Sequence, residues 1–211
     1  MMMCVYPEGA DLNRGTITKV NRHTGEVRVL QYDDYTHPGV KVIRSVFIPP
    51  GASPGVIVKR IISAKPADKK LTILKLVSHG DAGMLFLSGP VPAVPLTQFT
   101  VDEFADLRPH FDSLRGVIHL HGCGVASDTS IVVGGTIENP ITIPGTWKGS
   151  SEGLTYEKAP GSKRGYKLMS KLAQVTGISV VAALNVQPYL ATNFKGETVW
   201  VYPNGYAVPS W

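Results

Sequence analysis

Three short apolar runs constrain this chain more than anything else in it. Leu71–Ser78 (LTILKLVS), Val117–Gly122 (VIHLHG) and Ile178–Leu184 (ISVVAAL) are rich in Ile, Leu and Val, and each ends abruptly at polar or small residues. Such runs read as strands of a parallel sheet, buried on both faces. Helical patterns at Thr100–Leu114 and Arg164–Thr176 fall between them. Strands alternating with helices predict the α/β class with a largely parallel central sheet. Right-handed crossovers then place helices on both faces, a three-layer sandwich with peripheral β-hairpins.

The remaining segments fit around that core. Residues 15–32 read as an N-terminal hairpin turning near Gly25, with Val27 opening the core sheet. Val40–Ile48 is a further strand, ended by Pro49-Pro50-Gly51. Ser53-Pro54 supplies an N-cap and a proline at the first helical position of a helix reaching Ala64. Met84–Leu87 reads as a small ribbon on the rim. In Thr100–Leu114, Thr100 and Glu103 form a capping box. Val101, Phe104, Leu107, Phe111 and Leu114 make its apolar stripe, and Pro109 divides it. Tyr166, Leu168, Met169, Leu172 and Ala173 give Arg164–Thr176 a core-facing side, with Gly177 as its C′ residue. A C-terminal hairpin, residues 189–203, turns at Lys195-Gly196. The chain thus reads as one domain over residues 1–211, with a core from about 26 to 188. Met1–Asn13 carries no interpretable signal.

Composition narrows the function classes. A hydrophobic share of 43% and a charged share of 18% suit a globular core. The net charge of +5 is scattered, without a basic stripe interleaved with aromatics, which argues against nucleic acid as a partner. Two cysteines, Cys4 and Cys123, exclude a disulfide scaffold and point to a reducing, cytoplasmic setting. No apolar run approaches about 18 residues, so no membrane span is expected. MMMCVYPEGADLNRG lacks the features of a signal peptide, although export by a signal-independent route stays open. No cofactor is expected.

The chemistry lies where two of the runs stop. One ends at His79-Gly80 and the other at Gly122-Cys123. In an open parallel sheet both emerge at the edge where active sites form. A neutral thiol is a poor nucleophile, and a neighbouring imidazole can take its proton. Backbone N–H groups of Gly80 and Cys123 can face a developing oxyanion. Each residue alone has a plainer reading: Cys123 as a buried small hydrophobe, His79 as a loop residue. A rival uses the same segment. His119, His121 and Cys123 alternate and so share one side of a strand. Together with His79 or Asp81 they offer the ligand types of a zinc or other transition-metal hydrolase.

The blocks LKLVSHGDAGMLFLSG, LTQFTVDEFADL, GVIHLHGCGVASD and KLMSKLAQVTGISVVAA resemble caspase-like cysteine peptidases, the clan that also holds gingipains, clostripain and separase. Within it the chain looks most like a bacterial domain of large surface and repeat proteins, with its SHG-x-x-G and GC-x-VA blocks. The resemblance spans about Leu71–Ala183. The spacing from His79 to Cys123 is close to the roughly 50 residues that separate the equivalent pair in caspases. The resemblance implies a dyad of His79 as general base and Cys123 as nucleophile, an oxyanion hole at Gly80 and Cys123, and a peptide or protein substrate. No third catalytic residue is implied; Asp81 and Asp128 are electrostatic helpers or plain loop carboxylates. His121, Asp33, Asp34, Asn185 and Gln187 are the implied substrate-binding residues, and an Asp at the pocket base would favour Lys or Arg. The caspase nucleophile signature is missing, so a preference for Asp is not implied. The long Ser127–Ser162 stretch offers Lys158 or Lys163-Arg164 as self-processing sites of a bacterial effector. A catalytically silent caspase-like binding domain and the metal hydrolase are the alternatives.

Overall fold

A computed structural model describes residues 1–7, 17–20, 27–29, 43–88, 94–127, 134–135, 140–141, 147–150, 153–156, 164–184, 187, 194 and 197–210. Its centre is a seven-stranded sheet. The strands are β1 (Met2–Pro7), β2 (Ile43–Ile48), β3 (Ile73–Val77), β4 (Val117–His121), β5 (Ser179–Ala183), β6 (Thr198–Val201) and β7 (Ala207–Ser210). They lie in the order β7-β6-β5-β4-β3-β1-β2. Strands β1 to β5 are mutually parallel, and β6 and β7 are added antiparallel at one edge. The protein is therefore α/β with a mostly parallel sheet.

The order 2-1-3-4-5 of the parallel strands decides where the helices go. Only the step from β1 to β2 runs one way along the sheet; the next three crossovers run the other way. Right-handedness puts those three on a common face. Helix α1 (Pro54–Ala64), the 3-10 segment Asp102–His110 and helix α2 (Arg164–Thr176) occupy these crossovers. Their buried residues Ile57, Ile61, Phe104, Leu107, Leu168 and Leu172 share one cluster with Met3, Val5, Leu74, Leu76, Ile118, Leu120 and Val180. Each fully buried aliphatic side chain there contributes about 1.5–3 kcal/mol.

The opposite face has a different character. Met2, Ile73, Val117 and Val181 form a smaller cluster with Phe194 and Trp200 packed on it. The next row is polar: Ser45, Cys4, Lys75 and His119 are successive register partners across four strands. Lys75 is only 2% exposed. Burial lowers its ammonium to about 8, against a smaller opposing effect of Cys4.

Several expectations are corrected. Met2–Pro7, which carried no sequence signal, is an inner strand buried along its whole length. Ile17–Val20 and Val27–Val29 do form a hairpin, but as a separate two-stranded ribbon, so Val27 does not open the central sheet. Within Thr100–Leu114 only Asp102–His110 is helical, and it is a 3-10 segment rather than an α-helix. Its N-cap is Val101, with no side-chain cap bond. Thr100 Oγ1 instead accepts from Thr97 N–H at 2.8 Å and donates to the Pro95 carbonyl at 2.9 Å. Val101, Phe104 and Leu107 are buried at strict intervals of three, the 3-10 repeat. Leu114, by contrast, is 93% exposed.

The C-terminal hairpin is displaced as well. It joins β6 to β7, closed by Tyr202 N–H to Tyr206 O at 2.9 Å with Gly205 at φ 82°. The Lys195-Gly196 turn lies outside the described residues. Helix α2 and Gly177 are as expected: Gly177 has φ 69° and donates to Ala173 O at 2.8 Å. Tyr166 leaves the core face and donates to Gly205 O at 2.9 Å. Two small antiparallel ribbons lie in the stretch after Ser127, pairing Gly134–Gly135 with Pro140–Ile141 and Trp147–Ser150 with Gly153–Tyr156. Among the described residues no helix is long and apolar enough to cross a membrane.

Candidate active site

Strands β3 and β4 end side by side. Val77 and His121 are register partners, and Ser78 N–H donates to His121 O at 3.0 Å. The chain then leaves the sheet in two turns that touch. The first is a small hairpin in which Gly80–Asp81 pairs with Met84–Leu85. Ser78 Oγ donates to Phe86 O at 2.6 Å and Phe86 N–H to His79 O at 2.9 Å, so both flanks of the hairpin are tied. Gly83, at φ 67°, makes the tip possible.

The second turn carries Cys123. Gly124 adopts φ 54°, and Ser127 N–H returns to Gly124 O at 2.8 Å. Ala126 N–H donates to Ala183 O at 3.0 Å and Ser127 Oγ to Leu184 O at 2.6 Å, fixing the turn to the end of β5. Gly165 N–H of α2 donates to Ser127 O, and Gly83 N–H to Val125 O, from the other two sides. Three separate elements thus hold one short loop.

The two turns meet at their glycines. A β-carbon on Gly80 would fall 3.0 Å from Gly122 Cα and 3.2 Å from Cys123 N. Only glycine allows that approach. His79, the residue before Gly80, is exposed, and Cys123 is partly buried. The pair that the sequence singled out is therefore brought to one end of the sheet, on adjacent parallel strands, beside the point where strand order reverses between β1 and β3.

The surroundings set the thiol's charge. Burial pushes the Cys123 thiol up; main-chain hydrogen bonding at Gln187 offsets part of this, and the Asp81 carboxylate adds to it. Asp81 is fully buried and accepts from Ala82 N–H at 2.7 Å. At neutral pH the thiol is thus protonated, and a nucleophile must be made by moving its proton to a base. Gln187, 5% exposed, is an implied substrate residue in direct contact with it: Cys123 Sγ donates to Gln187 O at 3.5 Å.

His121 is 3% exposed and its two ring nitrogens have no hydrogen-bond partner among the described residues. Burial first, then His119 and Lys75, hold its imidazole well below the ordinary histidine range, so it is neutral. Its ring stacks on Phe194, with centroids 4.1 Å apart and planes 2° apart. His119 lies 5.7 Å from His121 and 6.5 Å edge-on from Trp200. Among the described residues no group of three or more His, Cys, Asp or Glu side chains is placed to hold a metal ion. The two histidines pack in an aromatic stack, while the thiol turns to a carbonyl.

Asp33, Asp34, Asn185 and Asp128, with Lys158 and Lys163, lie outside the described residues; Arg164 begins α2 and is exposed. Sequence reasoning missed Phe194, Lys75 and the clamp at Gly165. Phe194 is a lone aromatic in a polar stretch, and Lys75 is a charge inside an apolar run, which was a visible anomaly. No protein-family model matches this chain, and no curated protein or solved structure is significantly similar to it.

Proposed function

We propose that the chain is a caspase-like cysteine endopeptidase in which His79 and Cys123 form the dyad. The observation that supports it best is the close approach of Gly80 to Gly122 and Cys123, which brings the turn after His79 against the turn that carries the thiol. In the proposed reaction His79 takes the Sγ proton as the sulfur attacks a peptide carbonyl. The carbonyl oxygen becomes an oxyanion, met by N–H groups of Gly80 and Cys123. Collapse breaks the C–N bond, and the proton on His79 goes to the departing amine. Water, deprotonated by His79, then releases the acyl group and restores the thiol. Both half-reactions balance without a metal or an oxidant. The caspase-like three-layer arrangement is part of the same proposal.

The raised thiol agrees with a base-assisted nucleophile rather than a preformed thiolate. A peptide bearing an electrophilic carbonyl tests the reading. Covalent mass gain at Cys123, absent in Cys123→Ala and accompanied by cleavage of a peptide library, supports it. An unmodified thiol and intact peptides would leave a silent binding domain.

A further inference from the structure

Two described residues between β5 and β6, Gln187 and Phe194, touch the candidate site. The Gln187 carbonyl accepts the hydrogen of the Cys123 thiol. Seven positions on, the Phe194 ring lies flat on His121, two residues before the thiol. A thiol has one hydrogen to donate. While that hydrogen is directed at Gln187 O, it is not available to His79. Nor can a substrate carbonyl approach the sulfur from the side that a main-chain carbonyl already occupies.

We propose that the protein closes its own nucleophile, with the Gln187 carbonyl on the thiol and the Phe194 ring on His121, and that both must withdraw before substrate reaches Cys123. The inference rests on Cys123 being the nucleophile and adds the regulation of that site. It accounts for two otherwise separate features. A nucleophile at a strand end is only partly accessible, and a neutral imidazole two residues before it is buried without a hydrogen-bond partner among the described residues. A buried polar group of that kind costs the closed state free energy, which favours a state in which the imidazole is hydrogen-bonded. The resting fold is the latent form, and release of the two contacts is the activating step.

Iodoacetamide labelling of the full chain, followed by peptide mapping, reads Cys123 and Cys4 separately. Cys4, 4% exposed in inner strand β1, reports global opening. Phe194→Ala is expected to speed Cys123 labelling about tenfold, the scale of a lost ring stack, with Cys4 still protected. Phe194→Tyr keeps the ring and the wild-type rate. In the wild-type chain, low urea should accelerate Cys123 labelling with a shallower dependence than Cys4, because local release exposes less surface than unfolding. That arm decides if Phe194→Ala labels both thiols together. Equal urea dependence of the two thiols overturns the proposal, as does an unchanged Cys123 rate in a folded Phe194→Ala. Peptide hydrolysis measured alongside separates the two ideas. Faster labelling without hydrolysis keeps the closed contact and removes the peptidase. Hydrolysis by the wild-type chain with no gain in Phe194→Ala removes the closed contact and keeps the peptidase.

Discussion

Gly80 and Gly122 lie back to back, each so placed that a β-carbon on it would sit 3.0 Å from the other's α-carbon. The contact joins the turn after β3 to the turn after β4, and it leaves no room for any other residue. A methyl at Gly122 would also meet Leu85 Cδ1 at 2.6 Å and Val125 Cγ2 at 2.9 Å. Gly122→Ala is expected to destabilise the fold by about 1–3 kcal/mol and to alter Cys123 labelling by spreading the two turns. Urea melts and iodoacetamide kinetics check both effects; an unchanged melt would show that the turns are not in contact.

Gly165→Ala should reverse a familiar rule. In an exposed helix interior, alanine is favoured over glycine by about 1 kcal/mol. Here the added β-carbon would lie 2.3 Å from Ala126 C and 2.4 Å from Ala126 O, both backbone atoms of the nucleophile turn. The expected result is a loss of about 1–3 kcal/mol on thermal or urea unfolding. A gain in stability would mean that α2 does not clamp the turn.

Lys75→Met is expected to stabilise. Burial lowers the Lys75 ammonium from 10.5 to about 8. Between those pH values the unfolded chain holds a proton that the folded chain has lost, so stability falls as pH drops from about 10.5 to about 8 and does not recover below. Methionine fills a similar volume without titrating. At pH 7 the variant should gain roughly 1–3 kcal/mol, and the gain should shrink above pH 10. Urea melts at both pH values measure it; a loss at pH 7 would show that Lys75 carries a structural bond worth more than its desolvation costs.

If His79 is the general base, His79→Gln should lower peptide hydrolysis by about 10²–10⁴-fold while the melting temperature holds. An exposed loop side chain has little packing to lose. Full activity in a folded His79→Gln would assign the base to another group.

The pH dependence of Cys123 alkylation should have its midpoint above that of an ordinary cysteine, because burial and the Asp81 carboxylate both disfavour the thiolate. Asp81→Asn removes the charge and keeps an acceptor for Ala82 N–H. Its midpoint should move down. A midpoint that stays put would show that Asp81 acts only on the turn.

The inner strands were legible because β3, β4 and β5 are runs of Ile, Leu and Val, the residues that fit a sheet buried on both faces. Helix α2 was legible from its apolar spacing, and the Ser53 cap of α1 from its sequence, with Ser53 Oγ accepting from Val56 N–H at 3.4 Å. Strand β1 was not legible. Its residues MMCVYP hold a single β-branched residue, Val5, and Met and Cys pack wherever a gap suits them. The capping box at Thr100 failed because the local sequence serves a tight turn through Thr97 equally well. The hairpin that joins β6 to β7 turns at Asn204-Gly205, a strong turn dipeptide that the sequence reading did not use. At the site, His79, Gly80 and Cys123 could be read from where apolar runs stop. The Phe194 contact could not, because it joins residues whose nearness only the sheet creates.

The position of β1 has a consequence for how the protein reaches its fold. Met2 must align with Ile43 on one side and Ile73 on the other, both far along the chain. Distant parallel pairings are slow to form, since the loops must close before any bond rewards them. Until β1 is seated, β2 and β3 present two bare edges to each other and to any passing strand. Refolding yield should therefore fall with protein concentration, and the seating of this one segment should be the step at which chains are lost.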